Sequence, residues 1–229
     1  MTDDPREQVA IANRILALSG LAEGVTAALG HASLRLPDNP ERFLVKGRGY
    51  KVDALAMIQP ADLVLCDLDG NKIDGPDGVT QCFEVKMHSC IYRERPDVQA
   101  VVHAHPPVAT GFAVAGEGFT TGILPELVAQ IGWVPLVPYA TPGSEELAEQ
   151  FEPFLASHDA FLMANHGATT VGPSLRIAHQ RVESLEQSAR ILLTARLLGR
   201  VNALPPAAVD ALLDLRRRAA EGKGRSGRR

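Results

Sequence analysis

The chain has 229 residues, 45% of them hydrophobic and 22% charged, with a formal net charge of −4. That is enough to bury a substantial core, and the composition excludes disorder as the default state. The net charge gives no general attraction to nucleic acid or to an anionic membrane surface.

The opening Met1-Thr2-Asp3-Asp4 is polar and acidic, unlike a secretory signal, and no apolar run approaches the ~20 residues that span a bilayer. Cys66, Cys82 and Cys90 are odd in number and form no CxxC pair, so neither a disulfide framework nor a cysteine zinc site is indicated. The expectation is a cytoplasmic protein with no membrane and no nucleic-acid partner.

In chain order, Asp4-Pro5-Arg6-Glu7 carries the signals of a helix start, and Val9, Ala12, Ile15 and Leu16 follow at helical spacing before Gly20. Strand-like runs at Ala32–Leu36, Phe43–Lys46 and Leu63–Leu68 are separated or followed by turn residues, which favours antiparallel pairing. Phe83–Arg95 is predicted helical, ending before Pro96. Ala100–His105 is a β-branched run closed by Pro106-Pro107. An acidic amphipathic helix is predicted over Ser144–Ser157, and short strands over Ala160–Met163 and Thr169–Val171. A long helix is predicted over Ser174–Leu198. One domain covering 1–215 is expected. From Arg216 the chain holds seven basic residues against Glu221, the pattern of a solvated, frayed tail more than of a nucleic-acid arm.

The most informative segment is Val101-Val102-His103-Ala104-His105-Pro106. On a strand, residues i and i+2 share a face, so two imidazoles stand side by side at its carboxyl end. Neutral imidazoles so placed suit a divalent metal, and two partly exposed strand histidines are the plainer reading. Glu84 lies four residues before His88 on the preceding helix, and Asn165-His166-Gly167 adds an imidazole in a turn where glycine relieves the backbone. Three imidazoles and one carboxylate form a zinc-type ligand set. Glu84 also suits a cap on its helix, and His88 suits a supporting place better than a ligand's. Cys82 reads as a small buried hydrophobe, and Trp133 as core or interface.

Taken together, these pieces resemble the class II aldolase/adducin family over about Gln8 to Leu198. They are Gly30-His31-Ala32-Ser33, Asp67-Leu68-Asp69-Gly70-Asn71, Glu84-Val85-Lys86-Met87-His88, Arg95-Pro96-Asp97, Val101–His105, Pro138–Gly143 and Asn165–Ala168. The resemblance implies an α/β fold, a three-layer α/β/α sandwich around a mainly antiparallel sheet. It implies a homotetramer with active sites between subunits. It also implies Glu84, His103, His105 and His166 as ligands of a divalent metal, Zn2+ first with Mn2+, Ni2+, Fe2+ or Co2+ as alternatives, and Glu84 as the catalytic acid/base.

The departures bear on substrate. His31 stands where sugar-phosphate aldolases usually have asparagine, and Cys82 and Phe83 replace small hydroxyl residues that would grip a phosphate. Lys46-Gly47-Arg48-Gly49 replaces the family's other phosphate loop. It can hold an anion or be a solvated basic turn. No clear equivalent of the tyrosine that some members lend from a neighbouring subunit is evident, though Glu126 falls near its place.

His31, Ser33, Lys46, Arg48 and Tyr139 are the candidate substrate-binding residues, Tyr139 serving equally to anchor its own turn. The expected activity is a carbon–carbon (aldehyde) lyase acting on a small anionic hydroxy-carbonyl substrate. A decarboxylase in the same site is the alternative; a 4-epimerase and a non-catalytic adducin-like domain come after it.

Overall fold

The protein, seen in a computed structural model, is described over residues 2–22, 30–49, 54–120 and 122–226, with side chains of the last helix as far as Ala219. Its strands are β1 (Gly30–Leu36), β2 (Asn39–Arg48), β3 (Leu63–Asp67), β4 (Lys72–Asp74), β5 (Thr80–Gln81), β6 (Ala100–Ala104), β7 (Leu136–Val137), β8 (Ala160–Met163) and β9 (Gly167–Gly172). Among the described residues they form one sheet in the order β4-β3-β2-β1-β6-β9-β8-β7, with β5 paired to β2. Every pairing is antiparallel except β7 with β8.

Among the described residues seven α-helices flank it: α1 (Pro5–Leu18), α2 (Val85–Glu94), α3 (Pro107–Val114), α4 (Pro125–Gln130), α5 (Glu145–Leu155), α6 (Leu175–Leu197) and α7 (Pro206–Ser226). Strand alternation sorts the core into two sides. Phe43, Val45, Val101, Phe161 and Met163 pack toward α2 and α5 with Met87, Ile91, Tyr92, Leu147 and Phe151. Leu44, Ala100, Val102 and Ala104 face α1 and the start of α6, with Val9, Leu16, Ala178 and Val182. Ala160, Leu162 and Ala168 continue that side toward α3, α4 and the rest of α6 through Phe112, Leu127, Leu185 and Leu192. The result is the expected three-layer sandwich.

The helix starts behave as their residues require. The Asp4 carboxylate accepts from the Arg6 N–H at 2.9 Å, and the Ser144 and Ser174 hydroxyls accept from Leu147 and Ile177. One helix follows prolines that the sequence marks only as the end of a strand. Pro106-Pro107 does end β6, but Pro107 then opens α3, because proline suits a first helical position. The α3 amino end is held by Glu186, buried on α6, which accepts from Val108 and Ala109 N–H at 3.0 and 2.9 Å.

The frayed tail expected from Arg216 starts inside α7 instead. Arg216 bonds the Gln130 carbonyl and the Asp159 carboxylate, and Asp159 also takes Arg95 at 3.0 Å and Arg181 at 2.9 Å. This shared carboxylate ties α7 to the sheet edge. Residues 227–229 of the expected tail lie outside the described residues. No helix among those described is long and apolar enough to cross a membrane.

Candidate metal centre

Three strand ends and one helix start converge at the carboxyl end of β6. The β1–β6 register pairs His31 with His103, and the β6–β9 register pairs His103 with Thr169, so these three share one rung of the sheet and one face. That face is the one bearing Val101, toward α2. His105 follows two residues on. His166 comes from the turn between β8 and β9, where its N–H bonds the Met163 carbonyl at 3.0 Å.

The strained backbone in that turn is at Asn165, with φ of 56°, a region asparagine tolerates better than most residues. Gly167 serves close approach instead of positive φ. A Cβ there would lie 2.5 Å from the Ala104 carbonyl oxygen and 3.1 Å from the His105 ring.

His103, His105 and His166 each place a ring nitrogen within 4.8 Å of the others. His103 Nδ1 is 3.1 Å from the Ala168 carbonyl, which fixes the proton on Nδ1 and leaves Nε2 as a bare lone pair aimed at His105 Nε2, 3.1 Å away. Burial, then the neighbouring imidazoles, holds His103 well below the ordinary histidine range. The same causes hold His105 at about 4, and burial lowers His166. The rings are therefore neutral, the form that binds metal.

Glu84 stands at the N-cap of α2 but its side chain makes no capping bond; it turns inward and is 8% exposed. Its Oε1 lies 3.7 Å from His166 Nε2, and its Oε2 lies 3.7 Å from His31 Nε2. Burial raises its pKa, while Lys46 and Arg48 oppose that rise.

These spacings can be tested against a metal. On a tetrahedral ion with bonds of about 2.1 Å, neighbouring ligand atoms stand roughly 3.4 Å apart. The 3.7 Å gap from His166 to Glu84 is too long for a hydrogen bond and close to that figure. The buried His166 Nδ1 also lacks a hydrogen-bond partner. Donor chemistry and mutual spacing of His103, His105 and His166 fit one divalent cation, and the Glu84 carboxylate beside His166 is chemically suited to join them.

The predicted substrate-binding residues divide. His31 lies beside Glu84, buried, with its Nε2 unbonded. Lys46 and Arg48 act electrostatically on Glu84, and Arg48 sits 5.0 Å over the Phe83 ring. Tyr139 is 59% exposed in the loop whose Gly143 packs against Phe83. Ser33 is fully buried, and its hydroxyl bonds His88 Nδ1 and the Tyr92 hydroxyl, both at 2.7 Å, which ties β1 to α2.

His88 is buried on α2, and burial pushes it down to about 3. Arg35 and Tyr92 were missed. Arg35 is buried, donates to the Val98 and Tyr92 carbonyls, and lies 4.8 Å over the Tyr92 ring. Only a buried arginine on a strand between apolar residues could have signalled it. Cys82 is buried as expected, and burial raises its pKa, so on its own it is a thiol and no nucleophile.

Residues 7–193 match the family described as the Class II Aldolase and Adducin N-terminal domain, and the chain belongs to it. It is 33% identical to 3,4-dihydroxyphthalate decarboxylase of Arthrobacter keyseri, over 92% of this chain and 86% of that one. It is 34% identical to 3-oxo-tetronate 4-phosphate decarboxylase of Escherichia coli O6:H1, over 73% of this chain and 77% of that one. Among solved structures, L-fuculose 1-phosphate aldolase superposes with a TM-score of 0.82 at 26% identity, covering 93% of this chain and 96% of that one. The chain is an enzyme of the class II aldolase superfamily.

Proposed function

We propose that the protein is a divalent-metal-dependent decarboxylase of a small hydroxy- or oxo-carboxylate. This moves the weight from aldehyde release, which the sequence put first, to loss of CO2. The observation that carries the reading is the convergence of three neutral imidazoles at spacings that suit a single cation, with a buried carboxylate 3.7 Å from one of them. The decarboxylase names of the relatives that match along most of the chain supply the choice of reaction.

His103, His105, His166 and Glu84 would hold the metal, taken here as zinc. Once bound, it would stabilise the negative charge that builds on a substrate oxygen as the carbon–carbon bond breaks. Glu84, kept basic by burial, would carry a proton to or from the reacting carbon or its hydroxyl. His31 would orient the substrate from the other side of Glu84, while Lys46 and Arg48 would attract its remaining anionic group. The exposed Phe83 face, half-covered by Arg48, suits a flat substrate.

Cys82 and Phe83 offer no hydroxyl pair for a phosphate, so an unphosphorylated dihydroxyaromatic carboxylate is favoured over a sugar-acid phosphate. Membership of the family supports the homotetramer as the working assembly.

The metal-loaded enzyme should be incubated with 3,4-dihydroxyphthalate and with 3-oxo-tetronate 4-phosphate, scoring CO2 against aldehyde. Release of CO2 that is lost in Glu84→Gln supports the reading, and aldehyde release from a hydroxy-carbonyl panel without CO2 refutes it. Aldol cleavage remains the second reading, favoured by the close superposition on the fuculose-phosphate enzyme.

A further inference from the structure

The three imidazoles of the centre are fixed by different means. His103 lies within β6, paired to β1 and β9, and its Nδ1 bonds the Ala168 carbonyl at 3.1 Å. His166 lies in a turn closed by its own N–H on the Met163 carbonyl. His105 comes one residue after β6 ends, and His103 Nε2 is the one hydrogen-bond partner of its ring among the described residues. The place of that ring is therefore set by its backbone.

The backbone is held on both sides. Before the ring, the His105 N–H bonds the Leu21 carbonyl at 2.8 Å. After it, Pro106 leads straight into α3, whose first turn closes with the Thr110 N–H on the Pro106 carbonyl at 2.8 Å. A helix start leaves its first N–H groups without intrahelical partners, and Pro107 has no N–H to place. Two such groups remain, on Val108 and Ala109, and the N-cap residue, Pro106, makes no side-chain bond to them.

Glu186, midway along α6 and 3% exposed, takes both. Its Oε2 accepts from Val108 at 3.0 Å and from Ala109 at 2.9 Å, while Oε1 accepts from Arg190 Nε at 2.8 Å. Bonds from backbone N–H groups to an ionised carboxylate at a helix amino end are among the stronger ones a fold can make. Between this clamp and His105 stand only Pro106 and Pro107, whose rings fix φ and carry the constraint without slack.

We propose that Glu186 is a positioning residue of the metal centre: by clamping the amino end of α3 to α6 it fixes where the His105 ring stands, and so sets the affinity for the metal. The inference rests on the metal reading above.

The test is competition for Co2+ between the full chain and a chromophoric chelator, below each variant's unfolding transition, with the visible d–d spectrum of the bound ion recorded alongside. Glu186→Ala removes the clamp, and Glu186→Asp withdraws it by one methylene and serves if the alanine variant does not fold. Each should bind Co2+ at least about tenfold more weakly, with an altered d–d band as His105 is loosened. Glu186→Gln keeps a carbonyl oxygen for the two N–H groups, so it should restore affinity and spectrum to near the wild-type values even where its melting temperature is lower. An Asp variant with a lowered melting temperature but unchanged affinity and spectrum makes Glu186 a helix cap alone and overturns the proposal, leaving the metal centre intact. A loss in Glu186→Gln equal to that in the other variants overturns it too. Wild type that binds no Co2+ overturns the metal reading and the clamp together.

Discussion

Replacing Gly167 with alanine adds one methyl group where two metal-ligand segments meet. The new Cβ would stand 2.5 Å from the Ala104 carbonyl oxygen and 3.1 Å from Cδ2 of His105. Carbon and oxygen in a comfortable close contact lie about 3.3 Å apart, so β9 must retreat from β6 by about 0.8 Å. It cannot do so freely, because the same residues are paired: Ala104 with Ala168, and Met163 with Gly167. Overpacking of this kind costs about 1–3 kcal/mol, which for a chain of this size lowers the melting temperature by roughly 2–12 °C.

Function should suffer more than folding, since His105 and His166 lie on either side of the displaced backbone. Metal affinity is expected to fall at least about tenfold, the scale seen when ligand positioning is disturbed. Thermal melting of the metal-free protein and competition with a chromophoric zinc chelator measure the two effects separately. If both remain unchanged, the close packing of the β8–β9 turn against β6 is not what positions the ligands, and the site as built here is wrong.

Three other outcomes follow from the same geometry. His103→Ala and His166→Ala should each lose most bound metal and activity while keeping the native far-ultraviolet circular dichroism; unchanged metal content would count against the ligand assignment. Asp159→Asn keeps the shape of a side chain 15% exposed but removes the charge shared by Arg95, Arg181 and Arg216. It should cost about 2–3 kcal/mol in urea denaturation, with α7 the first element to exchange its amide hydrogens. Burial raises the Cys66 thiol to about 12, so above pH 9 the unfolded chain releases a proton that the folded chain retains. Stability from this group is complete below pH 9 and falls by about 1.4 kcal/mol per pH unit above it, a slope that Cys66→Ala should lessen in denaturation curves taken at pH 8 to 10.5.

The long, strongly patterned elements were legible from the residues: α1, α2, α5 and α6 fall within a few residues of their predicted spans, and Ala160–Met163 matches β8. The short ones were not. The strands β4, β5 and β7 have two or three residues each, too few for alternation to show, and they exist because neighbouring strands pair with them. Helix α3 was hidden because Pro107 both stops a strand and opens a helix, and its helical choice is secured by Glu186, 79 residues away in sequence.

The site shows the same division. His103 and His105 announce themselves by spacing, whereas the inward turn of Glu84 away from its cap needs the packed neighbourhood. A serine in a glycine-histidine-alanine-serine run gives no sign of the partners that Tyr92 and His88 supply to its hydroxyl in the fold.

The pairing of β1 with β6 is the step on which chemistry depends most directly. His31 sits opposite His103, and Thr169 completes the rung from β9. In a strand a slip of one residue exchanges the faces, so β1 displaced by one would send Ala32 toward Glu84 and carry His31 into the apolar layer under α1. That slip is opposed at both ends. Asn13 on α1 grips Ala32 through its N–H at 2.9 Å and its carbonyl at 3.3 Å, and Arg35 ties the strand's far end to the Val98 carbonyl.

Asn13 is fully buried and faces no substrate, so its amide serves as a register clamp. Asn13→Leu, which keeps the branched shape but cannot hydrogen-bond, should lower stability by about 1–3 kcal/mol through the unpaired Ala32 groups. It should also lower kcat/KM beyond what loss of folded protein explains, because the β1 register and with it His31 would no longer be fixed. Activity normalised to folded protein is the measurement. A variant less stable yet fully active per folded molecule would show that β1 keeps its register without the clamp.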